Sequence, residues 1–218
     1  MRWFPQLSLQ DLIGSLEFTE SRKHYKYGCF ARIGTEVESK ILDKIYAADN
    51  VSLQKLLDEK GIPLFYRNAD GGYYSLVLDR STNSKYESTL FFNRRLAKVI
   101  GAFLSSNLYF WHQKVYSDNY HLKRADIETF PIPLLKITDD VIKKLKNLYT
   151  RYQRDVERCA ITRNTDAYSE TTVIKEFKLM QARYHAHLID DIICPLYGLT
   201  DEERDFIKNY ELKFRIDE

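Results

Sequence analysis

Apolar residues recur at steps of three and four along much of the chain, and this period predicts α-helices. In the first 133 residues it predicts helices over residues 36–47, 52–60, 90–111 and 122–130. Thr35 is placed to cap the first of these helices, and Gly61 is placed to end the second. We expect the third helix to bend near Ser105 and the fourth to end at Pro131.

The same period predicts a largely helical region after Pro133. Thr138 begins a helix over residues 141–158, and a second long helix is predicted over residues 171–194. The polar residues between them predict a loop, so the two helices would form an antiparallel helical hairpin. A last helix is predicted over residues 199–212.

An extended pattern lies between the second and third predicted helices. Residues 62–79 indicate two strands around a turn, because the run from Asn68 to Gly72 holds residues able to take positive φ. The predicted fold class is therefore α+β. We expect a lead-in over residues 1–19, a mixed domain of short strands and helices over 20–133, and a helical region over 134–218 that packs on it or on a partner.

Composition restricts the partners of such a fold. The 33 Lys and Arg residues against 31 Asp and Glu give a net charge of +2, so any basic surface must be local. Three cysteines far apart in sequence give no metal-binding pair and an odd number for disulfides, which favours the cytoplasm. No run approaches the roughly 20 apolar residues that a membrane span needs, so we expect no membrane contact.

Two polar stretches carry residue types that suit contact with DNA. The rim of the predicted strand pair holds Arg67, Asn68, Tyr73 and Tyr74. Arg and Asn can bind guanine and adenine edges through two hydrogen bonds, and tyrosines can stack on bases or pack on sugars. An equally weighted alternative is that the tyrosines only occupy strand positions and that Arg67 pairs with an acid.

The second polar stretch follows Trp111 and ends at two prolines. Its polar loop and the first turn of its short helix hold Lys114, Tyr116, Asn119, His121, Lys123 and Arg124. Lys123 and Arg124 would lie where helix amides also attract anions, so phosphate is the expected partner there. The alternative is an ordinary helix end with a solvated polar loop.

The sequence lacks the motifs of the common catalytic and cofactor sites. It contains no GxGxxG, GxxxxGK[ST], GxSxG or HExxH, and no D/N-P-P-Y/F/W tetrad of amino-methylating DNA enzymes. Asp166, Glu176 and Lys178 are spaced loosely as in Mg²⁺ nucleases, but the helical pattern would turn Glu176 and Lys178 to different faces. We therefore expect no catalysis and no cofactor in this chain, and we expect His185 and His187 to face solvent.

Four motifs, in this order, resemble those of one family. They are IPLFYRNADGGYY at residues 62–74, LSSNLYFW at 104–111, YSDNYHLKRADIETFPIP at 116–133 and YGLTDEERDFIKNYELKFR at 197–215. Together they resemble the C-terminal target-recognition region of adenine-specific DNA methyltransferases of type II restriction-modification systems, including fused restriction-methylation enzymes. The third motif is the most specific of the four.

The resemblance implies a sequence-reading domain for double-stranded DNA that works with a methyltransferase domain or subunit. Residues 20–133 would be the target-recognition domain. Catalysis, with S-adenosylmethionine and, where it is used, Mg²⁺, is expected in that other domain or subunit. Because recognition loops vary with the target, the resemblance assigns no base-reading residue.

Two alternatives stay open. The segment FPIPLLKITDDVIKKLKNL, residues 130–148, is similar to the junction in specificity subunits of type I systems, where a recognition domain precedes a long helix that docks to methylation subunits. The other alternative is a helical protein-interaction module without DNA contact. With either alternative, a homodimer formed through the helical region is also compatible with the sequence.

Overall fold

Helices and small antiparallel sheets build the chain, which confirms the predicted α+β class. The computed structural model describes residues 8–14, 19–68, 77–118, 120–167 and 170–211. The helices are α1 Leu9–Gly14, α2 Glu36–Ile45, α3 Ala97–Leu104, α4 Asn107–Tyr116, α5 Arg124–Glu128, α6 Asp139–Arg158, α7 Arg183–Leu196 and α8 Asp201–Asn209. The strands are β1 Val51–Ser52, β2 Leu57–Arg67, β3 Val77–Leu78, β4 Glu87–Phe92, β5 Pro131–Ile132, β6 Ala160–Ala167 and β7 Glu170–Phe177.

Helices with their own threonine cap lie where the sequence predicts them. Thr35, Thr138 and Thr200 precede α2, α6 and α8, and each accepts a hydrogen bond from a backbone N–H three residues later. Glu38 and Glu203 complete capping boxes at the first and last of these helices. These ends form from contacts within four residues, which explains why local sequence predicts them.

β2 is the central strand of a three-stranded antiparallel sheet, between β3 and β4. Tyr66 is opposite Val77 in β3, and Leu64 is opposite Leu90 in β4. The predicted pair of strands is thereby confirmed for β2 and β3. Residues 69–76, which include most of the predicted turn, lie outside the described ranges.

Gly61 lies inside β2, and the α-helix predicted over residues 52–60 is wrong: Leu53–Leu56 form only a short 3-10 helix, and β2 begins at Leu57. The register between β2 and β4 shifts here, since Leu57 and Ile62 are both opposite Phe92. A Cβ at Gly61 would stand 2.2 Å from the Phe92 carbonyl oxygen, so glycine allows the two backbones to approach. The apolar spacing of this short segment fits a helix, but pairing with a distant strand outweighs that local preference.

The helix predicted over residues 90–111 is a strand followed by two helices. Its first residues belong to β4, where Leu90 and Phe92 are buried and the residue between them is exposed. α3 and α4 follow, with the break at Ser105 and Ser106, where a bend was expected. The Ser106 hydroxyl caps α4 by accepting a backbone N–H. The alternation in β4 is a strand pattern that the longer helical period downstream hides.

A β-hairpin of β6 and β7 stands in place of the loop and the first part of the helix predicted over residues 171–194. Its register runs from Ala160 opposite Phe177 to Ala167 opposite Glu170. Both strands contain Thr and Ile, which favour extended pairing. The predicted helical hairpin is therefore wrong in its connection, although α6 and α7 pack against each other.

One hydrophobic core runs through the described part of the chain. It takes side chains from Ala31, before α2, to Ile207 in α8, and so it crosses the expected boundary at residue 133. α3 packs against α6, where a Cβ added at Gly101 would lie 2.5 Å from the Tyr149 ring. Among the helices in the described ranges, none combines the length and the apolar character needed to cross a membrane.

Candidate nucleic-acid interface

The end of β2 carries two of the predicted DNA contacts. Arg67 is exposed, and its guanidinium lies 5.9 Å from the centre of the Tyr86 ring. Asn68 donates from Nδ2 to a serine hydroxyl of β4 over 2.9 Å, and its backbone N–H donates to the Tyr86 carbonyl. These bonds hold Asn68 against β4 and the residue before it. Tyr73 and Tyr74, the other predicted residues of this rim, lie outside the described residues.

The start of α5 carries three more predicted contacts. Lys123, immediately before the helix, is exposed, and its Nζ lies 2.8 Å from Asp118 Oδ2. His121 Nδ1 lies 3.3 Å from the same oxygen. Arg124 donates from Nε to Glu128, one turn later, over 2.6 Å. These three side chains are exposed to solvent and are each paired with a neighbouring acid.

The Tyr66 phenol links the end of β2 to α5. Tyr66 is buried one residue before Arg67, and burial raises the pKa of its phenol. A hydrogen bond with Ser88 and the charges of Arg124 and two α5 acids also act on that pKa, so the phenol lies within electrostatic reach of α5. Arg67, the next residue, lies on the exposed side of the strand. We use the name β2–α5 face for the exposed or partly exposed predicted residues at the end of β2 and at the start of α5: Arg67, Asn68, His121, Lys123 and Arg124.

The β2–α5 face carries acids beside its cations. Asp118 accepts hydrogen bonds from the His121 N–H, the Lys123 ammonium and the Tyr120 N–H, and these hold the pKa of its carboxyl well below the ordinary value. Asp126 accepts the Lys123 backbone N–H. Because exposed ion pairs contribute less than about 1 kcal/mol, phosphate oxygens can replace these acids at little cost. The face therefore suits polar recognition better than strong non-specific attraction.

Lys114 and Tyr116 lie in α4, where the sequence predicted a polar loop, and that prediction is wrong. Lys114 is only 8% exposed, and its ammonium lies 5.2 Å from the centre of the Phe110 ring. The Tyr116 hydroxyl donates to the His24 carbonyl over 3.0 Å, so this side chain ties α4 to the segment before α2. Both side chains serve packing because α4 continues into the core. Asn119 lies outside the described residues.

An exposed aromatic turn lies beside α5, and the sequence did not single it out. Three rings are more than half exposed around this turn: Tyr25, Tyr27 and Phe30. Paired backbone hydrogen bonds between Lys26 and Cys29 close it. Tyr27 has a backbone φ of 55°, which residues other than glycine rarely adopt. Its hydroxyl donates to the Thr129 carbonyl just after α5. The sequence feature that could have predicted this turn is the group of aromatic residues around Gly28. In the structure Gly28 has a φ of 82°, which glycine adopts readily.

Two histidines that suggest chemistry have structural partners. His185 was expected to face solvent, but α7 packs on α6 and brings its Nδ1 to 2.6 Å from Asp155 Oδ2. His112 is buried, with Nε2 2.7 Å from the Tyr46 hydroxyl. Burial lowers the pKa of His112 to about 3, so this ring is neutral at neutral pH. Both rings therefore stabilise contacts between elements.

Asp166, Glu176 and Lys178 do not form one metal site. The expected reason was a helix that turns Glu176 and Lys178 to different faces, but the observed reason is the register of two strands. The two acids lie on β6 and β7 instead of a helix, and the Lys178 ammonium pairs with Glu176. Asp166 is opposite Thr171, five positions from Glu176, which is about 17 Å along a strand. Within the described residues, no group of three or more His, Cys, Asp or Glu could hold a metal ion.

The chain matches no protein-family model, and comparisons with curated proteins and with solved structures find no similar protein. The functional interpretation of the β2–α5 face therefore depends on its geometry and on the sequence motifs.

Proposed function

We propose that this chain is a sequence-specific DNA-binding module, the target-recognition part of an adenine-specific DNA methyltransferase or restriction-modification enzyme. Another domain or subunit supplies catalysis and its cofactor. The observation that carries the proposal is the β2–α5 face. Arg67 and Asn68 come from one motif and His121, Lys123 and Arg124 from another, far along the chain, and the Tyr66 phenol beside Arg67 lies within electrostatic reach of α5.

The chemistry of the face fits base reading combined with phosphate positioning. Arg67 and Asn68 stand at the end of a paired strand, and arginine and asparagine are the residue types that bind guanine and adenine through two hydrogen bonds. Lys123 and Arg124 stand at the N-terminal end of α5, where their positive charges suit phosphate oxygens. A paired strand and a capped helix hold the backbone beside both groups, which reduces the backbone freedom lost on binding.

Selection from a random duplex library tests the proposal, with and without a methyltransferase partner. We expect one sequence to be enriched. Arg67→Ala should relax the preference at one base pair and cost about 1–3 kcal/mol of specific binding, because a bidentate base contact is lost. Lys123→Gln with Arg124→Gln should weaken binding to all sequences by a similar factor, because phosphate contacts carry no sequence information.

Arg124→Gln alone should show part of this loss, and Arg95→Gln is the matched control for that single variant. Arg95 is also an exposed arginine paired with a single acid, Asp139, but it lies outside the β2–α5 face. We expect this variant to bind as the wild type does. Failure to enrich any sequence, even with the methyltransferase partner present, would contradict the proposal.

The second candidate function is a protein-interaction module, and the exposed aromatic turn favours it. Tyr25 and Phe30 contact each other with ring centres 4.9 Å apart and planes tilted by 59°. Both are more than half exposed, and aromatic residues are enriched at protein interfaces. Tyr25→Ser with Phe30→Ser separates the two candidates. Loss of a protein partner with DNA selection intact would favour this second function, whereas loss of DNA binding would favour the first.

A further inference from the structure

The outward side of α6 carries a row of basic residues. One side of the helix is buried, and it consists of Ile142, Leu145, Tyr149, Tyr152, Gln153 and Val156. At 100° per residue, the opposite side carries one amide and three cations, together with Asp140, Lys144 and Arg158, which form ion pairs. The amide and the three cations, all exposed, form what we call the α6 row: Lys143, Asn147, Arg151 and Arg154.

The cations of the α6 row differ from their neighbours because they lack acidic partners. Lys144 pairs with Asp140, and Arg158 pairs with Asp155. The side chains of the three row cations make no ion pair or hydrogen bond with any residue that the structure describes. Their charges therefore stay available to an external anion.

The length of the row suits an extended polyanion. Lys143 and Arg154 are eleven positions apart, which is about 16 Å along a helix. Duplex DNA carries one negative charge for about every 1.7 Å of its axis, so a row of this length faces several phosphates. No apolar residue lies within the row, and a helix that enters a lipid surface needs an apolar side facing the lipid. The pattern therefore favours nucleic acid over a membrane.

α6 is also joined to β3, the strand that pairs with β2. Gln153 donates from Nε2 to the Val77 carbonyl over 3.0 Å, and the Tyr149 hydroxyl donates to the same carbonyl over 3.2 Å. Val77 is opposite Tyr66, which precedes Arg67. The α6 row is thus held in a fixed position relative to the end of β2.

We propose that the α6 row binds the phosphate backbone of double-stranded DNA and supplies electrostatic affinity that the acid-paired β2–α5 face lacks. This inference rests on the proposed DNA-binding function and adds a second contact surface to it. Contacts of this kind depend on counterion release, so they are independent of base sequence and weaken as salt increases.

The test measures binding of the full chain to a pool of short random-sequence DNA duplexes over a range of salt concentrations. The variant is Lys143→Gln, Arg151→Gln, Arg154→Gln, since glutamine keeps the helix propensity. We expect affinity to fall at least about tenfold at low salt, and the slope of log affinity against log salt to fall by about 2 to 3, in proportion to the phosphate contacts removed. The sequence preference of the remaining binding should not change.

Lys40→Gln, Lys60→Gln, Lys136→Gln is the matched control, because these lysines are exposed and their removal changes the net charge equally. We expect it to keep the wild-type slope. Equal loss in both variants, or an unchanged slope in the α6 variant, would overturn the inference while leaving the β2–α5 face intact. The same α6 variant is also measured with duplex RNA and with anionic phospholipid vesicles. Loss of binding confined to either of these ligands would overturn the inference too. If the wild-type chain binds no duplex even with the methyltransferase partner present, that result would contradict the proposed function and this inference together.

Discussion

Asp190 shows how one residue joins two helices. It lies in α7, fully buried, and its carboxylate accepts hydrogen bonds from Asn107 Nδ2 over 2.6 Å and from the Leu108 N–H over 3.3 Å. It therefore caps the N-terminus of α4 from a different part of the chain. Burial raises the pKa of Asp190 from its ordinary 3.8 to about 7, and these hydrogen bonds only partly oppose that effect.

This residue should give the protein a measurable pH dependence. Between pH 3.8 and about 7 the unfolded chain ionises Asp190 while the folded chain keeps it protonated, so its contribution to stability falls as pH rises through that window. Asp190→Asn imitates the protonated form and should remove this fall. Across this window, we expect the free energy of unfolding of the variant to rise relative to that of the wild type by up to about 4 kcal/mol, measured by urea unfolding.

Asp140→Asn is the control for this experiment. Asp140 is an acid of α6 that is exposed and pairs with the exposed Lys144 ammonium over 2.8 Å. We expect its replacement to change the pH dependence little, because exposed ion pairs are worth less than about 1 kcal/mol. Parallel pH profiles for the wild type and Asp190→Asn would show that the buried carboxyl does not behave as described.

At the scale of elements, the sheet around β2 depends on a glycine that the sequence placed in a different role. Gly61 allows the β2 backbone to lie against the Phe92 carbonyl of β4 where the register shifts. The neighbouring atom is backbone, so it cannot turn aside as a flexible side chain can. The end of β2, which carries Arg67 and Asn68, therefore depends on this close approach.

Gly61→Ala should destabilise the protein by at least about 2 kcal/mol, because the new Cβ would force the β2 and β4 backbones apart. Gly34→Ala is the matched control, since the nearest atom to its added Cβ is a carboxylate oxygen 3.9 Å away. We expect the control to stay within about 0.5 kcal/mol of the wild type or to gain slightly. Thermal and urea unfolding measure both. Equal stability of the two variants would show that the close approach imposes no constraint.

At the scale of the whole molecule, the packing of α3 on α6 joins the two regions that the sequence separates at residue 133. Gly101 in α3 lies flat against the Tyr149 ring of α6. Trp111, buried in α4, donates from Nε1 to Glu38 of α2 over 3.3 Å, so its environment reports on the first region. Because one core includes both regions, we expect them to unfold together.

Gly101→Ala tests this coupling. Alanine normally stabilises a helix by about 1 kcal/mol relative to glycine, but here its Cβ would meet the Tyr149 ring and cost about 1–3 kcal/mol net. Trp111 fluorescence, in a chain with Trp3→Phe, and helical circular dichroism should give one shared transition that shifts equally. Two separate transitions, with only one shifted, would favour independent domains at 20–133 and 134–218.

Part of the candidate site could be predicted from sequence, because some of its residues act through local structure. Lys123 and Arg124 start a short helix that a following proline ends, and they lie exposed at that start as expected. The α6 row was also available in the sequence. Once Thr138 starts α6 and the apolar side is known, Lys143, Arg151 and Arg154 must lie on the opposite side.

The sequence by itself determined the helices with their own caps, such as α2, α6 and α8, because helix hydrogen bonds and caps join residues within four positions. Only the tertiary structure decided where strands form and which polar residues are buried. β2, β4 and the β6–β7 hairpin satisfy their backbone groups on other segments, and Lys114 is buried because neighbouring elements cover α4. The position of the buried Tyr66 phenol within electrostatic reach of Arg124 is likewise a property of the packed core, which no local pattern contains.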